Sequence, residues 1–388
     1  MQHGVRERFV VLGVPSMITP KVLIIGGGIG GLTAAIALRA RGAAVDLIER
    51  DPTWSVYGVG IIQQSNVVRA MAQLGLLDDY LNAGFGFDHV DIFIPSGQHV
   101  ARAPSPKLVP GYPANIGIGR RALHKVLGDR AIGAGAKVRL GVTAEALEDD
   151  GQGVFVRFSD GLSDRYDVVI GANGLYSSTR SMIFPDRGLE PSFTGQAVWR
   201  YNFERPEDVQ TLHAYDGPVG VGLVPLSASL MYMYVTTPEP GNPRYPQAGL
   251  AKAMRGKLAW APPRIAALAK QITDDEAVVY KPLETLFLEG PWHKGRVVLL
   301  GDAVHATTPH LGQGAGMAIE DAIVLAEELT QAETPEAAFQ AFRDRRFERC
   351  RYIVQSSLAI CRGQLGEGPL VDQASATRGM FEVVAQPI

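Results

Sequence analysis

The sequence predicts an α/β protein whose parallel-sheet domain is interrupted by a second domain with a mostly antiparallel sheet and helices. Three observations lead there. Residues 21–42 read as strand, glycine turn and helix (KVLII, GGGIGG, LTAAIALRARG), and VDLIE at 45–49 completes a βαβ unit with expected parallel pairing. A second buried strand, RVVLL at 296–300, returns far downstream and is followed by another glycine-rich turn and a helix around 317–330. Between them, from about 191 to 283, aromatic strands such as LMYMYV at 230–235 and Pro-rich turns mark an inserted antiparallel texture.

The remaining elements follow in chain order. Residues 66–77 have helical periodicity, with Val67, Met71, Leu74 and Leu77 on one side. Strand and loop follow from Asp91 to a Pro-rich segment ending at Pro113. Residues 120–133 read as a helix, 137–143 as a strand, and 152–158 with 165–170 as a hairpin feeding a buried VVI strand. Helices are expected within 250–272, and 337–362 as one long charged helix. The nucleotide-type domain is thus assembled from 18–85, 105–190 and 284–335, the second domain from 86–104 and 191–283, and 336–388 is a helical segment packing on the first.

The 388 residues call for two joined domains, and 46% hydrophobic with 20% charged residues is a globular profile. A net charge of −3 offers no basic field for nucleic acid or an anionic membrane. Only Cys350 and Cys361 are present, both in one expected helix, which argues for a reducing compartment, the cytoplasm by default. The weakly polar stretch 22–38 contains five glycines and is bracketed by Lys21 and Arg39, so it reads as strand, turn and helix and not as a membrane span. The leader 1–20 is a poor signal peptide, and Met17 is an alternative start.

Gly26, Gly28 and Gly31 stand in GxGxxG spacing between strand and helix, with Gly30 inside the same turn. Such glycines permit a tight turn, approach of a pyrophosphate to backbone N–H groups, and close helix–strand packing, the Rossmann-like arrangement. Glu49, with Arg50 beside it, ends the next strand near the ~20-residue spacing expected for an acid that binds an adenosine ribose. This motif alone does not separate FAD from NAD.

Downstream, GDAVHATTPHLGQGAGMAIEDA from Gly301 and DVVIGANGLYSSTR from Asp167 stand in the same order, and with the first motif they resemble the class A flavoprotein monooxygenases, the 4-hydroxybenzoate and salicylate hydroxylase-like family. The resemblance runs from Lys21 to about Arg362. It implies a Rossmann-like FAD-binding domain with a substrate domain inserted into it, tightly bound FAD, transient NADH or NADPH, and O2. The implied reaction hydroxylates a small aromatic (a hydroxybenzoate, phenol or pyridine-carboxylate) through a flavin C4a-hydroperoxide. The alternative is an FAD-dependent oxygenase, epoxidase or reductase acting on a larger substrate such as a polyketide or alkaloid. The resemblance assigns Asp302 to the ribityl chain, Gly312, Gln313 and Gly314 to the pyrimidine edge at a helix N-terminus, Arg120 to FAD, and Gly60, within GVGII, to the isoalloxazine side. Where the family carries Asp-Gly, this chain has Asn173-Gly174, neutral and with an NH2 donor in place of an acceptor. No second GxGxxG and no CxxC occur, which opposes two-dinucleotide and dithiol enzymes; no metal is expected.

A phenol is activated by deprotonation, so His and Tyr are sought near the substrate. His213 and Tyr215 are the candidates for catalysis, to which the resemblance adds Pro309, in a segment that lines the reaction site; Arg200, Tyr201, Tyr232 and His310 are the candidates for substrate binding, and Tyr234 and His305 lie in the same two segments. Arg200 would take a substrate carboxylate in bidentate fashion or pair with Glu204. Expected partners are the small aromatic alone, with no nucleic acid and no integral membrane segment, in a monomer or homodimer.

Overall fold

The structure is a computed structural model describing residues 20–217 and 219–388, so the readings of the leader and of Met17 lie outside the described residues. It opens with β1 (Lys21–Ile25), α1 (Ile29–Ala40) and β2 (Ala44–Glu49). The two strands are parallel, from Lys21 opposite Ala44 to Ile25 opposite Ile48. Four of the five β1 side chains are buried, as a parallel strand covered on both faces requires. The turn between β1 and α1 needs its glycines. Gly26 has φ +115°, and a Cβ on Gly31 would stand 2.0 Å from the Gly26 carbonyl oxygen.

Next come β3 (Gly60–Gln63), α2 (Ser65–Gln73), α3 (Leu77–Asn82), β4 (Gly84–Phe87), β5 (His89–Phe93), β6 (His99–Pro104) and β7 (Asn115–Gly119). The helix expected to reach residue 77 ends at Gln73, because Gly75 enters the left-handed region (φ +66°) and restarts the chain as α3. Strands β3, β7 and β4 form a small sheet. Helix α4 (Arg120–Gly133) spans the expected residues, and β8 (Lys137–Leu140) follows it. A meander of β9 (Ala144–Asp149), β10 (Val154–Phe158) and β11 (Ser163–Tyr166) leads to β12 (Val168–Gly171) and α5 (Ser178–Ile183).

The inserted region supplies β13 (Ser192–Glu204), β14 (Leu212–Tyr215), β15 (Gly220–Pro225), β16 (Leu230–Pro238), α6 (Leu250–Lys257), α7 (Pro263–Ala269) and β17 (Val279–Thr285). The chain then returns through β18 (His293–Lys294), β19 (Val297–Leu299), α8 (Asp302–His305), α9 (Gly314–Gln331), α10 (Pro335–Leu365) and α11 (Gln373–Ala385). Helix α10 is longer than the expected 337–362. Thr334 caps it by accepting from the Ala337 N–H, Pro335 opens it, and Gly366 ends it at φ +72°. Helix α11 lies within the helical segment expected over 336–388; Asp372 caps it through the Ser375 N–H, and it buries Met380 and Val384.

Two large sheets organise these elements. One has the order β18-β19-β12-β1-β2-β8, parallel except for the β18 edge; the other has the order β17-β13-β16-β15-β14-β5-β6. The second is antiparallel apart from the β14–β5 pair. Its two faces differ. One carries Trp199, Tyr201, Phe203, Met231, Met233 and Val235 and packs with Leu250, Met254 and Ile265 of α6 and α7. The other carries Arg200, Asn202, Tyr232 and Tyr234, by the period-two alternation of a strand.

The small sheet is the joint between the two large ones. A Cβ on Gly117 of β7 would lie 1.9 Å from the Pro225 carbonyl oxygen, and a Cβ on Gly60 would lie 2.4 Å from the Tyr232 ring. Gly117→Ala is therefore expected to lose at least ~2 kcal/mol in urea unfolding, because a backbone atom cannot move aside as a side-chain tip can. Gly133→Ala, at an exposed end of α4 with open space around its Cβ, should gain up to ~0.5–1 kcal/mol by the same measurement.

Candidate active site

At the carboxyl ends of β1 and β2 the Glu49 carboxylate accepts from the Gly27 N–H at 2.8 Å and the Asp51 N–H at 2.9 Å. Its remaining lone pairs are available to a diol. Gly28, the N-cap of α1, has nothing within 4 Å of a built Cβ, so the helix N-terminus looks onto open space where a diphosphate would sit. The absent Cβ of Gly30 makes room for Leu300 and Ala318, so this glycine also lets α1 pack closely. Arg50 is exposed beside this end. Two residues not anticipated also fix the turn: Trp54 Nε1 donates to the Gly27 carbonyl at 2.9 Å, and His124 Nε2 lies 3.0 Å from the same oxygen. They border a cleft of about 350 Å³ lined also by Thr53, Arg121 and Lys125. Trp54 is held at φ 50°, a conformation that only the folded chain reveals.

The second end of the site lies beyond β19. Gly301 caps α8 at φ 62°, and Asp302 makes no hydrogen bond to the chain among the described residues. It is not the helix cap. Asp302 remains open to solvent, and desolvation by the groups around it still raises its carboxyl above the ordinary value, against the pull of His305 and Arg120. Arg120, at the start of α4, has its guanidinium pKa lowered by burial, with Tyr232, Asp302 and Tyr57 as its electrostatic neighbours. Gly312 adopts φ 67° and delivers the chain into α9, so the backbone N–H groups of Gln313 and Gly314 stand at the head of an 18-residue helix. The Gln313 side chain turns away from that head. It is buried against Asn66, Gln64 and Met380, so only its backbone can serve a cofactor. These groups fit FAD: a diphosphate cradle, a ribose acid, an unpaired polyol acceptor and a helix N-terminus.

Asn173 is spent within its own turn. Its amide donates to Ser178 Oγ and Thr179 Oγ1, both at 3.1 Å, and its carbonyl accepts from Ser177 Oγ. A carboxylate there would accept from the same hydroxyls, so the exchange for asparagine reverses polarity without changing partners. Arg180 fastens this turn to the Asp302 loop by donating to the Leu175 and Ala303 carbonyls.

The sheet face with Arg200 forms the facing wall. Arg200 pairs in register with Tyr234, and Asn202 with Tyr232. Tyr234 lies over Gly222 and Tyr232 over Gly60, each glycine leaving room for a ring. Gly60 is thus required by the packing of Tyr232 and Leu226. Asn202 donates to the Gly58 carbonyl at 2.7 Å, and its own carbonyl oxygen is buried without a partner. Desolvation and the nearby Arg120 hold the Arg200 guanidinium down to about 10. Glu204, four residues further along an extended strand, is about 13 Å away and does not neutralise it.

Three expected residues face the other way. Tyr201 packs beside Phe203 on the α6–α7 face. Tyr215 stacks on Phe93 with ring centres 4.5 Å apart, and His213 lies 5.1 Å from the same ring. His213 is 3% exposed, with neither nitrogen hydrogen-bonded and Asp91 Oδ2 3.7 Å away. The sheet separates these side chains from the Arg200 wall, which corrects their assignment to catalysis and substrate. Pro309 opens a 3-10 turn, Pro309–Leu311, immediately before Gly312. His310 in that turn lies 2.9 Å from Thr308 Oγ1 and 3.1 Å from Gln364 Oε1, and burial lowers it to about 4. Being an acceptor, Gln364 Oε1 requires the Nε2–H tautomer, leaving Nδ1 to accept from Thr308. His305 is fully buried and hydrogen-bonded to Asp321 at 2.6 Å. His305, Asp321 and Cys350 bring ligand-type atoms within 4.8 Å of one another, but Arg346 already occupies Asp321 at 2.8 Å.

Residues 19–357 match the family described as FAD binding domain. The chain belongs to this family of flavoprotein monooxygenases. It is 34% identical to the aurachin C monooxygenase/isomerase of Stigmatella aurantiaca over 356 residues, 89% of each chain. It is 31% identical to the 6-hydroxynicotinate 3-monooxygenase of Bordetella bronchiseptica, over 87% of this chain and 90% of that one. Among solved structures it resembles Klebsiella pneumoniae HpxO complexed with FAD and uric acid, with TM-score 0.80 and 26% identity over 95% of this chain and 93% of that one. Among the described residues no helix is long and apolar enough to cross a membrane.

Two measurements test these placements. Gly28→Val should leave the apoprotein's far-UV circular dichroism unchanged while weakening FAD binding by at least ~100-fold in a fluorescence titration, since the new side chain enters the diphosphate space. His213 concerns stability. Burial and Arg264 hold it at about 4, with Asp91 and Asp208 opposing and His99 assisting. The unfolded chain therefore binds the proton first, and stability present above about pH 6.5 is lost as pH falls toward 4. His213→Leu should lose ~1–2 kcal/mol less than the wild type between pH 7 and pH 5 in urea unfolding.

Proposed function

We propose that this flavoprotein hydroxylates a small aromatic or heteroaromatic compound bearing an acidic group, with NADH or NADPH as reductant and O2 as oxidant. The observation that carries this reading is Arg200, a cation without a carboxylate partner among the described residues, on the wall that faces Arg120 and Asp302. A guanidinium so placed suits a carboxylate or phenolate. FAD, when bound, accepts the hydride and activates oxygen. The rest falls to the chain. Tyr232 and Tyr234 are held protonated by burial and serve as donors toward a ring oxygen. Arg200 stabilises negative charge on that oxygen, which makes the ring electron-rich. Asn202 offers its unpartnered carbonyl to an N–H or O–H, and the α6–α7 side of the sheet closes the wall against water. Pro309 and His310 border the same space from the loop before Gly312. The relatives named for 6-hydroxynicotinate and, in Klebsiella pneumoniae, for urate support a single heteroaromatic substrate.

NADH and NADPH oxidation by the FAD-loaded protein is to be followed across hydroxybenzoates, hydroxypyridine-carboxylates and simple phenols, with product masses recorded. The reading expects stimulated oxidation and a product one oxygen heavier. Stimulation by none of them overturns it in favour of a larger polyketide or alkaloid substrate. With a responsive acid, Arg200→Met should raise KM by ~30–100-fold while FAD stays bound, equivalent to the ~2–3 kcal/mol of a charge-assisted pair.

A further inference from the structure

Glu320 and Asp321 are adjacent on α9, both buried to 1% exposure or less. Asp321 accepts from the Gly301 N–H at 3.0 Å and so holds the turn that carries Asp302. Glu320 is the hub of a wider network. Its Oε2 accepts from Arg346 at 2.7 Å and Arg349 at 3.1 Å, and its Oε1 accepts from Asn66 at 3.0 Å and lies 3.7 Å from Arg69. Asn66 in turn bonds Gln313 in both directions, at 3.0 and 3.1 Å. Two of the cations around Glu320 also grip the end of α11 and the residues after it. Arg69 donates to the Val384 and Ala385 carbonyls at 3.0 Å, and Arg349 to those of Gln386 and Pro387 at 2.8 Å. A third, Arg345, donates to the Ile388 carbonyl but is turned to Glu327 and Glu328. Helix α11 reaches the loop a second way, because Gln313 Nε2 also lies 3.5 Å from Met380 Sδ.

A helix added after the domain is complete has no need of this arrangement. Four successive carbonyls are held by arginines that share a buried carboxylate, and that carboxylate is one asparagine away from the residue at the head of α9. We propose that α11 with residues 384–388 is a positioning element for the loop at Gly312–Gly314, acting through Glu320, Asn66 and Gln313, so that its seating sets the affinity and environment of the flavin. The proposal rests on the placement of the flavin against that loop.

The test compares a chain ending at Val371, Arg69→Met, Arg345→Met and Gly314→Val by FAD dissociation constant, visible circular dichroism of the bound flavin and apoprotein melting temperature. Ending at Val371 or replacing Arg69 is expected to weaken FAD binding at least tenfold or so and to alter the flavin dichroism, whereas Arg345→Met, which loosens the tail without touching Glu320, stays within about threefold. Should the shortened chain not fold, Arg69→Met against Arg345→Met decides. Equal losses from both would make the effect one of general stability and overturn the proposal, as would wild-type affinity and dichroism in Arg69→Met. Gly314→Val separates the premise from the inference. If it binds FAD as the wild type does, the flavin placement fails; if it loses FAD while Arg69→Met does not, the coupling fails.

Discussion

A carboxylate buried without hydrogen bonds costs several kcal/mol, and the middle of this molecule holds two buried carboxylates side by side. Glu320 and Asp321 are tolerated because Arg346, Arg349, His305, Asn66 and the Gly301 N–H satisfy them from four directions. The pKa of His305 is raised by Cys350 and Asp321 against burial, and His305 and Arg346 pull Asp321 down to about 2 against burial. Removing any one cation would strand its partner, which is how a buried ion pair fixes position even where it adds little net stability. The consequence is geometric. The turn bearing Asp302 and the head of α9 are fixed to the same pair of residues, so the two loops expected around the flavin cannot drift apart.

A second constraint comes from close approach. Gly117 against the Pro225 carbonyl and Gly60 against Tyr232 let the small sheet press on the large one without intervening side chains. Tyr232 is thereby presented toward Arg120, and its register partner Asn202 ties back to Gly58. The wall of the candidate site is therefore made by backbone packing, and its polar groups project from a rigid strand pair.

Much of this was legible in the sequence where the signal is local. The βαβ unit, the strand before Gly301, the exact span of α4 and the antiparallel character of the insertion all follow from periodicity and turn residues. Choosing between the two faces of β13 was not possible that way. Arg200 and Tyr201 are neighbours, and period two says only that they part company; which one meets the site depends on α6 and α7 covering Trp199 and Tyr201. His213 and Tyr215 drew attention by chemical type, yet β14 lies on the far side of β15 from β16 and turns both into Phe93. Asn66 and Gln313 meet across more than half the chain, so no window of sequence reports their contact. Helix α11 carries a capping Asp372 and an apolar stripe of Ala376, Met380 and Val384, but Arg69 and Arg349 grip backbone carbonyls, which every sequence has.

The order of strands in the parallel sheet also bears on how the protein is made. The neighbours β1, β12 and β19 come from residues 21–25, 168–171 and 297–299, so the central sheet is incomplete until residue 299 has left the ribosome. Non-local pairing of this kind folds slowly and leaves strand edges exposed meanwhile. The nascent chain holds Gly26–Gly31 long before it gains the Asp302 turn. If both loops hold the flavin, free flavin supplied during expression acts on a chain whose central sheet is already complete and not on its earlier intermediates.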